Sequence, residues 1–188
     1  AMDSKAASRE EIISKFHDGQ TIAIGGQTSR CMPERLIGCI LESGAKHLTI
    51  YCIDTGIPGA GVGRLIDAGV VDHLITTHVG TNPVTNAQIQ AGTLTVEFSP
   101  MGSFVERIRS GGFGLGGILT KTGLGTLAEE GKQVVEVNGE CYLLEPALRA
   151  DIAITYARRA DPIGNLAYRG STGRATHPIV ATCADLSI

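Results

Sequence analysis

The chain lacks long apolar runs. No stretch of its 188 residues approaches the roughly 20 apolar residues of a membrane-spanning helix, so none is expected. It also lacks a charge excess. Sixteen Lys and Arg stand against nineteen Asp and Glu, for a net charge of −3. With 43% hydrophobic residues, that balance marks neither a disordered chain nor a nucleic-acid binder. Cysteine is sparse and unpaired in pattern. Cys31, Cys39, Cys52, Cys141 and Cys183 are odd in number and irregular in spacing, which argues against a disulfide framework. No CxxC pair exists, so neither a structural zinc site nor any other metal is expected. Reduced thiols and a cytoplasmic location are the default, and no secretory signal stands out. Ala1 and Met2 read as an expression scar, leaving residues 3–188 as one domain long enough to bury a core.

What the sequence does have is alternation. Ser8–His17 reads as a helix, with Ser8 and Glu11 spaced as a capping box. Gln20–Ile24 is a buried strand, and Pro33–Ser43 a helix stopped by Gly44. Leu48–Cys52 is a strand, Val62–Ala68 a short helix and Asp72–Thr77 a strand. Asn82–Ala91 is a helix closed by Gly92. Leu94–Phe98 is a strand, and Ser99 and Pro100 start a helix that runs through Arg109 and ends at Gly111. Val134–Leu144 reads as a hairpin about an Asn138-Gly139 type I′ turn. Asp151–Tyr156 is another strand, and one more begins at Leu186. This rhythm predicts an α/β fold: an open, mostly parallel sheet, helices on both faces, and a small β-hairpin insert.

The segment Asp18–Pro33, DGQTIAIGGQTSRCMP, is the richest. A strand that ends in glycines and feeds a helix is how open α/β sheets place ligands at their carboxyl edge. Gly25 and Gly26 either let backbone lie against a ligand or make a tight strand-helix turn. Pro33 suits the first turn of the helix that follows. Cys31, just before that helix, is either a reactive thiol or a buried inert one.

Other patterns fail their tests. Gly112, Gly114 and Gly117 spell GxGxxG but follow a helix, where a dinucleotide fingerprint must follow a strand. Lys121-Thr122 has Thr120 in place of the glycine a phosphate loop requires. His73 and His78 suit capping or surface roles. Ser29 and Ser171 have no nucleophile elbow, and Arg158 and Arg159 read as a solvated pair.

Asp18, Gly19, Ile22, Ala23, Ile24, Gly25, Gly26 and Pro33 together resemble the signature of α subunits of family I coenzyme A transferases, the 3-oxoacid and acetate group. The resemblance continues through His78–Thr85, Val96–Thr126, Tyr142–Ile154 and Ala160–Arg169, nearly the whole chain. Gln27 stands where the family has Phe, and Cys31 where it has Gly. Met101 replaces a family glutamine, and Ala175-Thr176-His177-Pro178 replaces Asn-Phe-Asn-Pro. The resemblance also implies a natural carboxyl-terminal tail beyond Ile188.

The resemblance implies an activity: moving CoA between an acyl-CoA and a short-chain carboxylate or 3-oxoacid. Acyl transfer needs a nucleophile that carries the acyl group and then CoA. In the family that nucleophile is a glutamate in a Ser-Glu-Asn-Gly motif on a partner β subunit, and this chain has no such motif. A hetero-oligomer is therefore expected, with acyl-CoA as substrate and no covalently bound cofactor. By resemblance, Gly25, Gly26, Gln27, Thr28, Ser29, Arg30 and Cys31 border CoA, while Asp54, Met101 and Gly102 face the substrate. Gln27 and Met101 form an expected pair, an amide and a thioether where the family has a ring and an amide. An acyl-CoA hydrolase or lyase component and a non-catalytic metabolite-binding relative stand as alternatives, because a fold does not fix a function.

Overall fold

Alternation of large and small residues along β1 (Thr21–Ile24) decides how the molecule is layered. Successive side chains of a strand point to opposite faces. Ile22 and Ile24 enter one apolar cluster, and Ala23 enters the other. The computed structural model describes residues 4–188, so Ala1 and Met2 lie outside the described residues.

The first half winds in one direction. α1 (Arg9–Ile13) precedes β1 and carries the Ser8–Glu11 capping box, though it is shorter than the sequence suggests. Then come α2 (Glu34–Ser43), β2 (Leu48–Tyr51), α3 (Gly63–Asp67), β3 (Val71–Thr76), α4 (Pro83–Gln90) and β4 (Thr95–Phe98). Ile37 and Ile40 of α2 and Leu65 and Ile66 of α3 pack with Ile22, Ile24, Leu48 and Ile50. Each of these fully buried side chains contributes about 1.5–3 kcal/mol relative to exposure. Local chemistry sets the ends of the helices. Gly44 closes α2 in the left-handed region at φ 77°, and the Asn82 side chain accepts from the Val84 and Thr85 N–H groups to start α4.

α5 (Met101–Gly112) crosses to the other face, where Phe104 and Ile108 meet Ala23 and Ala153. Small residues on that face let the helix approach. The expected stop at Gly111 is corrected: Gly111 lies inside α5, and a Cβ there would come 2.0 Å from the Leu148 carbonyl oxygen. Its glycine serves close packing, and the helix ends at Phe113.

β5 (Gly117–Thr120), which sequence reasoning missed, joins β6 (Val134–Val137) and β7 (Glu140–Pro146) in a three-stranded antiparallel sheet. A 3-10 turn (Leu127–Glu129) links β5 to β6. The β6–β7 hairpin turns at Asn138 and Gly139, both at positive φ (53° and 78°), as a type I′ turn requires.

β8 (Ala150–Ile154) then returns to pair with the free side of β1, followed by the ribbon β9 (Arg159–Ala160) and β10 (Leu166–Ala167). α6 (Gly170–Ala175), α7 (His177–Val180) and β11 (Ala184–Ser187) complete the fold. The main sheet has the order β11-β8-β1-β2-β3-β4, and every pairing in it is parallel. The α/β expectation is borne out. The winding direction reverses between β1 and β8, and a crevice opens beyond the carboxyl ends of strands at such a point. Among the described residues no helix is long and apolar enough to cross a membrane.

Candidate active site

The segment that leaves β1 at this reversal point is a strained turn. Gln27 and Arg30 exchange backbone hydrogen bonds, Arg30 N–H to the Gln27 carbonyl at 2.8 Å and Gln27 N–H to the Arg30 carbonyl at 3.2 Å. Thr28 and Ser29 between them both have positive φ, 47° and 58°. That is a two-residue hairpin turn of the kind normally built from Asn-Gly. A β-branched Thr in this region is uncommon, and a non-glycine residue held there costs about 1–3 kcal/mol. Cys31, at φ 53°, extends the strain.

Asp54, on the loop after β2, holds the turn in place. Its side chain is buried. The Thr28 N–H donates to its two oxygens at 3.0 and 2.9 Å, the Thr28 hydroxyl at 3.2 Å and the Gly56 N–H at 2.8 Å. The Ser29 hydroxyl oxygen accepts from Ile57 N–H at 3.3 Å. The next loop steadies this one: Thr77 hydroxyl donates to the Ile53 carbonyl, Thr81 hydroxyl to the Gly56 carbonyl, and the Asn82 amide to the Thr55 carbonyl. Three successive loops at the carboxyl edge are thus laced together.

A second anchor comes from the far end of the chain. The buried His177 ring accepts the Tyr156 N–H at Nδ1, 3.1 Å, which places its own proton on Nε2. Nε2–H donates to the Cys31 carbonyl at 2.9 Å. Tyr168 lies parallel to the ring with centroids 6.1 Å apart, and Tyr156 is tilted against it. Burial lowers the His177 pKa below its ordinary value, and the bond to Cys31 only partly opposes this. The neighbouring Thr176 hydroxyl oxygen accepts the Gly26 N–H at 3.2 Å.

These contacts give the glycine pair a packing reason. A Cβ on Gly25 would lie 2.1 Å from His177 Nδ1, and one on Gly26 would lie 2.3 Å from Met32 Sδ, with φ there at 109°. Protein atoms, not only a ligand, require both glycines.

The structure therefore gathers Gly25, Gly26, Gln27, Thr28, Ser29, Arg30, Cys31 and Asp54 into one cluster. Asp54 faces the turn. Met101 and Gly102 are set apart: they open α5 beyond β4, with β2 and β3 between them and β1. The ends of β1 and β4 lie three strand spacings apart, about 14 Å, and α5 runs back from there to pack Phe104 against Ala23 of β1. Met101 is exposed, and Gly102 borders an open groove of ≈ 390 Å³ against β5. Sequence reasoning missed Tyr156 and Tyr168. It noted Cys31 and His177 as separate departures from one pattern. No local sequence signal joins them, because 146 residues separate the two.

The profile described as coenzyme A transferase matches residues 6–188. This chain belongs to that family. It is 42% identical over 187 residues to the acetate CoA-transferase subunit alpha of Escherichia coli (strain K12), covering 100% of this chain and 84% of that one. It is 45% identical over 183 residues to the acetoacetyl-CoA:acetate/butyrate CoA transferase alpha subunit of Clostridium acetobutylicum, covering 97% and 84%. An acyl-CoA transferase from Escherichia coli O157:H7, solved as a thioester complex with CoA, has the same fold. It aligns with a TM-score of 0.83 at 17% identity over 99% of this chain and 43% of that one. The expectation of an α-type CoA-transferase subunit is borne out, and with it the expectation of a partner subunit.

Proposed function

We propose that this chain forms the acyl-CoA-positioning half of a split active site, and that a β subunit supplies the glutamyl nucleophile. CoA then passes from an acyl-CoA to a short-chain carboxylate. The observation that carries this reading is the state of the glutamates. Glu145 is the one glutamate buried among the described residues, and Lys132 already binds it, Nζ to Oε1 at 2.7 Å. No glutamate stands in the turn at the end of β1. The alpha-subunit names of the relatives support the same division of labour.

Chemically, the chain's contribution is fixed backbone. Thioester exchange passes through an oxyanion, which is stabilised by N–H donors that need not reorganise. In the 27–31 turn, locked by Asp54 and His177, the Gln27, Thr28 and Arg30 N–H groups are already bonded within the protein, and the Ser29 and Cys31 N–H groups are the donors that remain without an acceptor among the described residues. The short-chain carboxylates named for the relatives are the first substrates to try. The test is reconstitution. The chain alone is expected to show no turnover, and mixing with its β subunit should restore exchange between an acyl-CoA and acetate or butyrate. Robust turnover by the isolated chain would overturn the split-site reading.

A further inference from the structure

His177 is unusual in its surroundings. Both ring nitrogens are committed to backbone, one to Tyr156 N–H and one to the Cys31 carbonyl. The ring fills the space that a side chain at residue 25 would need. It therefore touches the two ends of the strained turn, where the backbone leaves β1 and where it enters α2. Asp54 holds the middle through Thr28. The loop after β2 holds the turn through Asp54 and through Ile57 N–H, which donates to the Ser29 hydroxyl. The α6–α7 segment supplies the rest, with Gly173 also lying against Cys31, its Cβ position 3.8 Å from the thiol sulfur.

We propose that His177 is a positioning residue for acyl-CoA: its neutral imidazole sets the Cys31 carbonyl, and through it the 27–31 turn, without touching substrate. The idea rests on the reading of that turn as the acyl-CoA side of the site. A left-handed Cys31 has no intrinsic reason to persist. Without the Nε2–H donor its carbonyl is free to rotate, and Thr28 and Ser29 can relax toward ordinary dihedrals. The turn would then lose the shape on which acyl-CoA rests. The carboxylate that accepts CoA depends on it less.

Two substitutions separate the roles of the ring. In His177→Gln the amide nitrogen stands near the place of Nε2 and keeps a donor for Cys31. In His177→Phe the ring volume and the Tyr168 packing remain, but both hydrogen bonds are lost. Each variant is to be co-expressed with the β subunit and assayed for kcat, KM for acyl-CoA and KM for carboxylate. His177→Phe is expected to raise KM for acyl-CoA about tenfold, the equivalent of one or two lost hydrogen bonds, with carboxylate KM and kcat little changed. His177→Gln should recover most of that loss. Equal rises in both KM values, or no recovery by Gln in complexes of wild-type melting temperature, would overturn the proposal. If Phe blocks assembly, Gln still decides: full retention of acyl-CoA KM supports the donor role, and loss refutes it. Absence of exchange in the wild-type complex would instead defeat the functional reading beneath it.

Discussion

Thr28 N–H bonds to both carboxylate oxygens of Asp54, at 3.0 and 2.9 Å, across 26 residues of sequence. The contact carries the left-handed turn, because the carboxylate gathers donors that a relaxed turn would turn away. Asp54→Ala leaves the Thr28 N–H and hydroxyl and the Gly56 N–H without their acceptor. The expected cost is about 2–4 kcal/mol, since bonds to charged groups exceed neutral ones. Denaturant melts of the assembled complex measure it, beside the KM for acyl-CoA. Lost turnover at unchanged stability would mean that Asp54 works on the substrate instead.

The glycine pair separates ligand contact from packing. If only a ligand lay against Gly26, Gly26→Val would block CoA binding and spare the fold. The structure predicts otherwise, because the new side chain meets Met32 and a backbone φ of 109°. Stability and binding are expected to fall together. The Gly25 site adds a sharper check. Gly25→Ala collides with His177, so Gly25→Ala combined with His177→Ala should cost less than the sum of the two singles, by about 0.5–3 kcal/mol. Additive losses in a double-mutant cycle would show that the collision is relieved elsewhere.

Much of the fold was legible from local chemistry. β1, β2, β3 and β4 are runs of β-branched and apolar residues bounded by turn formers. α1, α2 and α4 announce themselves through Ser8, Gly44 and Asn82, whose capping acts within one helical turn. β5 was not legible, because Gly117–Thr120 becomes a strand only by pairing with β7. The end of α5 was misread because Gly111 looks like a stop and is in fact a close contact with Leu148. The site divides the same way. Gly25–Cys31 and Asp54 stood out in sequence, but the packing reason for Gly25 lies in His177, which reaches Cys31 across 146 residues, and that for Gly26 in Met32. The Gln27–Met101 pairing comes from resemblance alone, which conveys which positions serve a site and not the strand order, in which β2 and β3 lie between β1 and β4.

Glu145 predicts a different kind of loss. Its side chain is 0% exposed, accepts from Lys132 at 2.7 Å, and lies 3.8 Å from Arg107 Nε. Arg107 is itself buried and bonds to the Pro146 carbonyl and to Glu97. These contacts tie the antiparallel sheet to α5 and β4. Removing one partner of a buried pair strands the other charge, so Glu145→Ala is expected to cost about 3–5 kcal/mol. Glu97 is half exposed, and Glu97→Ala should cost only about 0.5–1.5 kcal/mol. Chemical denaturation of both variants checks the order, and equal losses would contradict it.

His177 also makes stability depend on pH, with a defined sign. Its folded pKa lies below the ordinary 6.5, chiefly through burial among Gly25, Cys31, Tyr156 and Tyr168. The unfolded chain therefore binds the proton more readily than the folded one. Stability from this group is fully present above pH 6.5 and is lost as pH falls from there through the folded pKa. The proton would have to enter at Nδ1, where the Tyr156 N–H already points. Melting temperatures are expected to drop as pH is lowered from 7 toward about 5, and His177→Gln, with nothing to titrate, should remove part of that slope. Exposed His17, His47, His73 and His78 remain in both proteins, so the comparison isolates the buried ring. Identical slopes in the two proteins would mean that His177 binds its proton equally well folded and unfolded.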